Sequence, residues 1–156
     1  AGVEVAPERC GSGGRCGIVA IRGELTERGE EAQRSRVLVP ESAHGTNPAT
    51  AALLGYKVDA IPATKDGRVD LEAFKAKLGP DVAAIMLTNP NTCGLFERDI
   101  VEIAQAVHDA GSYFYCDGAN FNAIVGKTRP GDRGLDFMHI NPASYTPLPA
   151  HEPPAH

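Results

Sequence analysis

Three strand-length runs dominated by apolar residues do most to limit the folds open to this 156-residue chain. They are Val37-Leu38-Val39, Val82 to Leu87, and Ser112 to Cys116. Each is too short for a buried helix and shows no polar alternation, so each reads as a strand covered on both faces. Helical patterns lie between them. From Gly17 to about Ala32, Ile18, Ile21 and Leu25 recur at three- and four-residue spacing. Ala49 to Leu54 is rich in helix formers and stops at Gly55, a helix-ending residue. Asp70 is placed to cap a helix that runs to about Leu78 and ends at Gly79-Pro80. Glu97 to Ala110 places Ile100, Ile103, Ala104 and Val107 on one face. Tyr56 to Ile61 and Phe137 to Ile140 add two further strands. Strands alternating with helices predict an α/β fold with a mainly parallel sheet and flanking helices.

The ends read differently from the middle. Residues 1–16 hold Gly2, Pro7, Gly11, Gly13 and Gly14 without periodicity, and are expected to be an irregular N-terminal segment. Residues 142–156 hold five of the 12 prolines, too many for a regular helix or a central strand. They are expected to form an irregular, mobile tail, which leaves 17–141 as the folded part. A net charge of −5 with interspersed signs gives no basic patch for nucleic acid or an anionic membrane. No apolar run approaches the roughly 20 residues of a membrane-spanning helix, and no secretory leader pattern opens the chain. Cys10, Cys16, Cys93 and Cys116 show no CxxC or zinc spacing, so reduced thiols in a cytoplasmic setting are expected.

Chemistry gathers where the strands stop. In parallel α/β sheets, ligands bind beyond the carboxyl ends of the strands. Ser42-Ala43-His44-Gly45-Thr46-Asn47-Pro48 follows the first run and leads into a helix. An imidazole there can stack on a flat ring, and free helix-terminal N–H groups can meet an anion. The alternative is plain capping by Ser42 and Thr46. Asp117 follows the apolar run Tyr113 to Cys116, where a carboxylate is costly unless paired. A pyridinium N–H is one partner for it, as in pyridoxal phosphate. A turn built on Asp117-Gly118, or a metal, are the others. Thr88-Asn89-Pro90-Asn91-Thr92 ends the second run and offers hydroxyls and amides to a ligand, or simply turns the chain. Arg129 is a further candidate for an anion. No glycine-rich phosphate loop follows any strand, which weakens a generic nucleotide-binding reading.

Taken together, Ser42 to Ala49, Ala83 to Thr92, Gly94 to Glu97, Asp117 to Ala123 and Arg129 to Asp132 closely resemble the glycine decarboxylase P-protein family. The match is to the C-terminal-half subunit of split enzymes and covers about residues 17–141. The resemblance implies the fold of aspartate-aminotransferase-like (fold type I) pyridoxal-phosphate enzymes and the activity of a glycine dehydrogenase (aminomethyl-transferring) in the glycine cleavage system. In that family glycine forms a Schiff base with pyridoxal 5'-phosphate and loses carbon dioxide. Its aminomethyl group then passes to the lipoyl arm of the H-protein. By resemblance, His44 stacks on the cofactor ring, Asp117 pairs with its pyridine nitrogen, Ala119 packs against the ring and Thr88 lies near it. Asn89 and Asn120 are the substrate-side candidates. The implied partners are glycine, the lipoyl H-protein, and the other P-protein half or a second P-protein subunit. Cytoplasmic location is implied for a bacterial protein and mitochondrial for a eukaryotic one. The family's Schiff-base lysine falls at Ser144, and a hydroxyl forms no imine. The chain is therefore expected to be an inactive fragment with out-of-frame or damaged ends, with a non-catalytic cofactor- or subunit-binding module as the alternative.

Overall fold

A computed structural model of the chain describes residues 4–7 and 13–140. The expected tail at 142–156, Ser144 included, lies outside the described residues. Six strands form one sheet: β1 (Glu4–Pro7), β2 (Arg36–Pro40), β3 (Lys57–Ile61), β4 (Val82–Thr88), β5 (Tyr113–Gly118) and β6 (Phe137–Ile140). Their spatial order is β1-β6-β5-β4-β2-β3, and every pairing is parallel. Helices α1 (Gly13–Glu27), α2 (Thr46–Leu53), α3 (Leu71–Lys77) and α4 (Ile100–Asp109) cover the two faces. The β2–α2–β3 unit builds towards one edge, and the chain then returns across β2 to place β4 on its other side. The carboxyl ends of β2 and β4 thus flank a switch point, where α/β sheets open a crevice.

The alternation of side chains along each strand divides the core. On one face, Val37, Val39, Met86, Tyr115 and Phe137 pack with Ile18, Ile21 and Leu25 of α1 and Ala51 of α2. On the other, Leu38, Ile85, Leu87, Phe114, Cys116 and Met138 pack with Phe74 of α3 and with Ile100, Ile103 and Val107 of α4. β4 and β5 are buried along their whole length, as their apolar runs require. Local signals also act as read. The Asp70 carboxylate accepts from the Ala73 N–H at 3.0 Å, and Gly55 follows α2 with φ of 85°.

Two differences from the sequence expectation have physical causes. Within the segment read as irregular, Glu4–Pro7 pairs with Phe137–Ile140, and α1 begins at Gly13 rather than Gly17. Gly14 and Gly17 let α1 pack closely. A Cβ on Gly17 would stand 2.1 Å from the Tyr115 ring, and one on Gly14 would touch Thr50 of α2 at 3.5 Å. The helix expected from Glu97 starts only at Ile100, because Glu97 is buried in the preceding loop. Its carboxylate accepts from the Val69 N–H at 2.9 Å.

Gly118 ends β5 beside β6, where a Cβ would lie 2.2 Å from the His139 carbonyl oxygen. That neighbour is backbone and cannot turn aside. Gly118→Ala is expected to lower stability by about 1–3 kcal/mol in chemical denaturation, with the folded secondary-structure content retained.

Candidate active site

Asp117 is the centre of the site. It stands on β5 opposite His139 of β6 and level with Thr88 of β4. Alternation from Tyr115 turns it to the face covered by α1 and α2. Four donors meet its carboxylate. Oδ1 accepts from the Ala119 N–H at 2.9 Å and from His139 Nε2 at 3.1 Å. Oδ2 accepts from Asn47 Nδ2 at 3.1 Å and from the Thr88 hydroxyl at 3.3 Å. Asn47 Nδ2 also lies 3.2 Å from Thr88 Oγ1, and Asn47, Thr88 and Asp117 are all buried. Burial works to raise the Asp117 pKa. The bonds from His139, the Ala119 amide and Asn47 outweigh it and hold the carboxyl below its ordinary value. The charge that sequence reasoning requires to be paired is thus kept ionised by neighbours from three elements and its own turn.

The loops after the strands are tied together above this carboxylate. The Thr92 hydroxyl donates to the Ser42 carbonyl at 2.6 Å. Asn120 Nδ2 reaches the Pro90 and Asn91 carbonyls at 3.1 and 3.3 Å. Asn91 stiffens its own loop: its Oδ1 accepts from the Cys93 and Leu95 N–H groups, both at 3.0 Å. Its Nδ2 donates to the Gly67 carbonyl at 2.9 Å. The three polar motifs that end separate strands therefore form one connected rim.

His44 stands at the head of α2, the helix whose Asn47 bonds Asp117. No side chain caps this helix in the Ser42 or Thr46 manner. Instead the Thr46 N–H donates to His44 Nδ1 at 3.2 Å. An Nδ1 that accepts leaves the proton of the neutral ring on the exposed Nε2. Ala119 is exposed beside Asp117, and Thr88 is in direct contact with it. His44, Thr88, Asp117 and Ala119 are therefore gathered on one side of the sheet.

The two asparagines behave differently. Asn120 is exposed on the rim, with its amide committed to the loop after β4. Asn89 is not brought into the group. It is buried, its Oδ1 accepts from the Glu97 N–H at 3.0 Å, and it lines the opposite side of the sheet with Phe96, Ile100 and Cys116. The burial of Cys116 pushes its thiol up to about 12, which leaves it inert. Arg129 is exposed on the loop between β5 and β6. Asn47 and His139 are the contributors that sequence reasoning missed. Asn47 sits inside a motif already singled out, whereas nothing in the sequence reveals the β5–β6 register that sets His139 beside Asp117.

A buried carboxyl held below its ordinary pKa at the end of a parallel strand, with the head of α2 on the same face, fits the pyridine end of pyridoxal phosphate. The aminotransferase class-V family matches residues 12–139, and the chain belongs to this family of pyridoxal-phosphate enzymes. Among curated proteins it is 62% identical over 139 residues to the probable glycine dehydrogenase (decarboxylating) subunit 2 of Caulobacter vibrioides. It is 54% identical over 139 residues to the protein of that name in Thermus thermophilus, and 52% identical to that of Methylococcus capsulatus. These alignments cover 89% of this chain but only 26%, 29% and 28% of the relatives, so the chain spans about a quarter of their length. At 139 residues they are longer than the 17–141 stretch that carries the resemblance.

Solved structures agree on the fold. The sphingosine-1-phosphate lyase of Burkholderia pseudomallei superposes with a TM-score of 0.61 at 22% identity, over 69% of this chain and 25% of the other. The 4-hydroxyphenylacetaldehyde synthase of Rhodiola rosea gives 0.62 at 19% identity, over 72% and 27%. The architecture is that of fold type I pyridoxal-phosphate enzymes. No helix among the described residues is long and apolar enough to cross a membrane.

Replacing Asp117 by Asn puts an NH2 group against donors that need an acceptor. Asp117→Asn is expected to cost about 1–3 kcal/mol of stability near neutral pH. The folded carboxyl releases its proton more readily than the unfolded one. The ion's contribution is thus fully present above the ordinary value of 3.8 and is lost as pH falls through the lower folded value. Urea titrations of the two proteins should therefore differ most near pH 7 and converge below pH 3.8.

Proposed function

We propose that this chain supplies the pyridine-binding part of the cofactor site of a glycine dehydrogenase (decarboxylating), with glycine as substrate. The observation that carries this reading is the buried, ionised Asp117 beneath the head of α2, on the side of the sheet where His44 stands. High identity to proteins named for that activity supports the substrate. When bound, the protonated pyridine ring of pyridoxal phosphate withdraws the electrons left behind as a carboxylate departs from the amino acid.

The chain's own residues have distinct tasks. Asp117 keeps a proton on the ring nitrogen by offering it a fixed negative charge. The His44 imidazole at the head of α2 would stack on the bound ring. Ala119, small and exposed beside Asp117, would leave room for the ring. Thr88 and Asn47 hold Asp117 in place, and the tied rim of loops keeps His44 and Ala119 at constant spacing. Asn120 is the rim residue available to the substrate side, and Asn89 acts through the loop it anchors. The product aminomethyl group passes to the lipoyl H-protein, and the other P-protein half or a second P-protein subunit completes the site. The setting is the cytoplasm. With Ser144 at the position of the family's anchoring lysine, the isolated chain holds the cofactor reversibly and does not turn over glycine.

Titration of the purified chain with pyridoxal phosphate, followed by absorbance, tests this reading. Saturable binding is expected, weakened about tenfold or more by Asp117→Ala and several-fold by His44→Ala. Borohydride treatment should leave no pyridoxyl-lysine. A single modified lysine would restore catalytic competence to the chain, and equal affinity of both variants with the parent would remove the site assignment.

A further inference from the structure

Building on the cofactor reading above, we propose that His139 and Tyr115 are positioning residues of the site. They form a hydrogen-bond relay to Asp117 Oδ1 that leaves Oδ2 as the oxygen presented to the pyridine nitrogen.

The relay follows from register. Tyr115 and Asp117 share one face of β5, and His139 lies directly across from Asp117 on β6. His139 Nε2 is 3.1 Å from Asp117 Oδ1, and His139 Nδ1 is hydrogen-bonded to the Tyr115 hydroxyl. The two rings lie nearly parallel, 23° apart, with centroids separated by 5.8 Å. An ionised carboxylate only accepts, so Nε2 carries the proton. In the neutral imidazole, Nδ1 then accepts, and the tyrosine O–H is its donor. In that state the direction runs from Tyr115 through His139 to Asp117.

The far end of the relay is tightly packed. Tyr115 is fully buried, and α1 lies on its ring at Gly17, where a Cβ would come within 2.1 Å of Cε2. No residue with a side chain fits there unless Tyr115 moves. The near end sorts the two carboxylate oxygens. Oδ1 is taken by the Ala119 amide at 2.9 Å and by His139. Oδ2 takes Asn47 at 3.1 Å and the Thr88 hydroxyl at 3.3 Å, the longest of the four contacts, on the side where α2 begins. The Thr88 hydroxyl can rotate its proton away when a stronger donor arrives, whereas the amide and the imidazole cannot. Oδ1 thus keeps both of its donors, while Oδ2 keeps Asn47 and gains room for one further donor when Thr88 turns away.

Imidazole ¹⁵N NMR of the full chain, without cofactor, reads the relay directly. The expected result is His139 protonated at Nε2 with a bare Nδ1. Tyr115→Phe and Gly17→Ala should each shift the His139 nitrogens while the fold persists by circular dichroism. Protonation at Nδ1 alone, or a His139 spectrum indifferent to Tyr115→Phe, would overturn the relay. Pyridoxal-phosphate titration adds a second readout. His139→Leu should weaken binding about tenfold through loss of a charge-assisted bond, and His139→Gln, whose amide can still donate, should recover most of it. Affinity of His139→Leu equal to the parent's would also defeat the proposal. A parent chain that binds no pyridoxal phosphate would remove the cofactor reading instead, and the imidazole spectrum alone would then decide the relay.

Discussion

The burial of one negative charge organises the carboxyl edge of this sheet. A carboxylate removed from water is costly unless donors replace its hydration. Asp117 obtains them from Asn47 on α2, Thr88 on β4, His139 on β6 and the Ala119 amide in its own turn. Each donor belongs to a different stretch of chain, so satisfying the charge fixes the relative positions of those stretches. The same four bonds that stabilise the ion hold it in a form suited to a cationic heterocycle.

The sheet topology supplies the geometry for this. Because the strand order reverses between β2 and β4, α2 lies on one face while α3 and α4 lie on the other. The loop after β2 and the end of β4 therefore open towards each other, with Asp117 alongside. Buried asparagines and Glu97 turn the loop after β4 into a rigid support rather than a mobile lid. The Asp117 charge is held by protein groups alone, which is the preorganisation that the proposed cofactor site would use. Membership of the class-V aminotransferase family, and high identity to glycine dehydrogenase subunits over a quarter of their length, match that architecture.

Much of the fold was legible because it rests on local rules. Unbroken apolar runs mark strands covered on both faces, and β4 and β5 are buried throughout. The Asp70 cap and the turn at Gly55 follow from side-chain and backbone preferences that need no tertiary partner. The misreadings share one cause, which is that residue type was interpreted without knowing its neighbour. Gly13 and Gly14 resemble a loop, yet they open α1, and Gly14 is where that helix meets Thr50 of α2. Glu97 resembles a first-turn helical acid, yet it is the buried acceptor for Val69. Asn89 resembles its neighbour Thr88, yet one step along an extended chain turns it to the other face, towards Glu97 and α4.

The sequence by itself determined the α/β class, the strand-end placement of His44, Thr88 and Asp117, and the need for Asp117 to be paired, because hydrophobic periodicity and the cost of a buried charge are properties of the chain. Tertiary structure alone decided which groups meet that charge. Strand register set His139 beside it, the packing of α2 brought Asn47 to it, and the close approach of α1 at Gly17 pinned Tyr115. Those contacts join residues from 22 to 98 positions apart, and distance along the chain carries no information about which of them will touch.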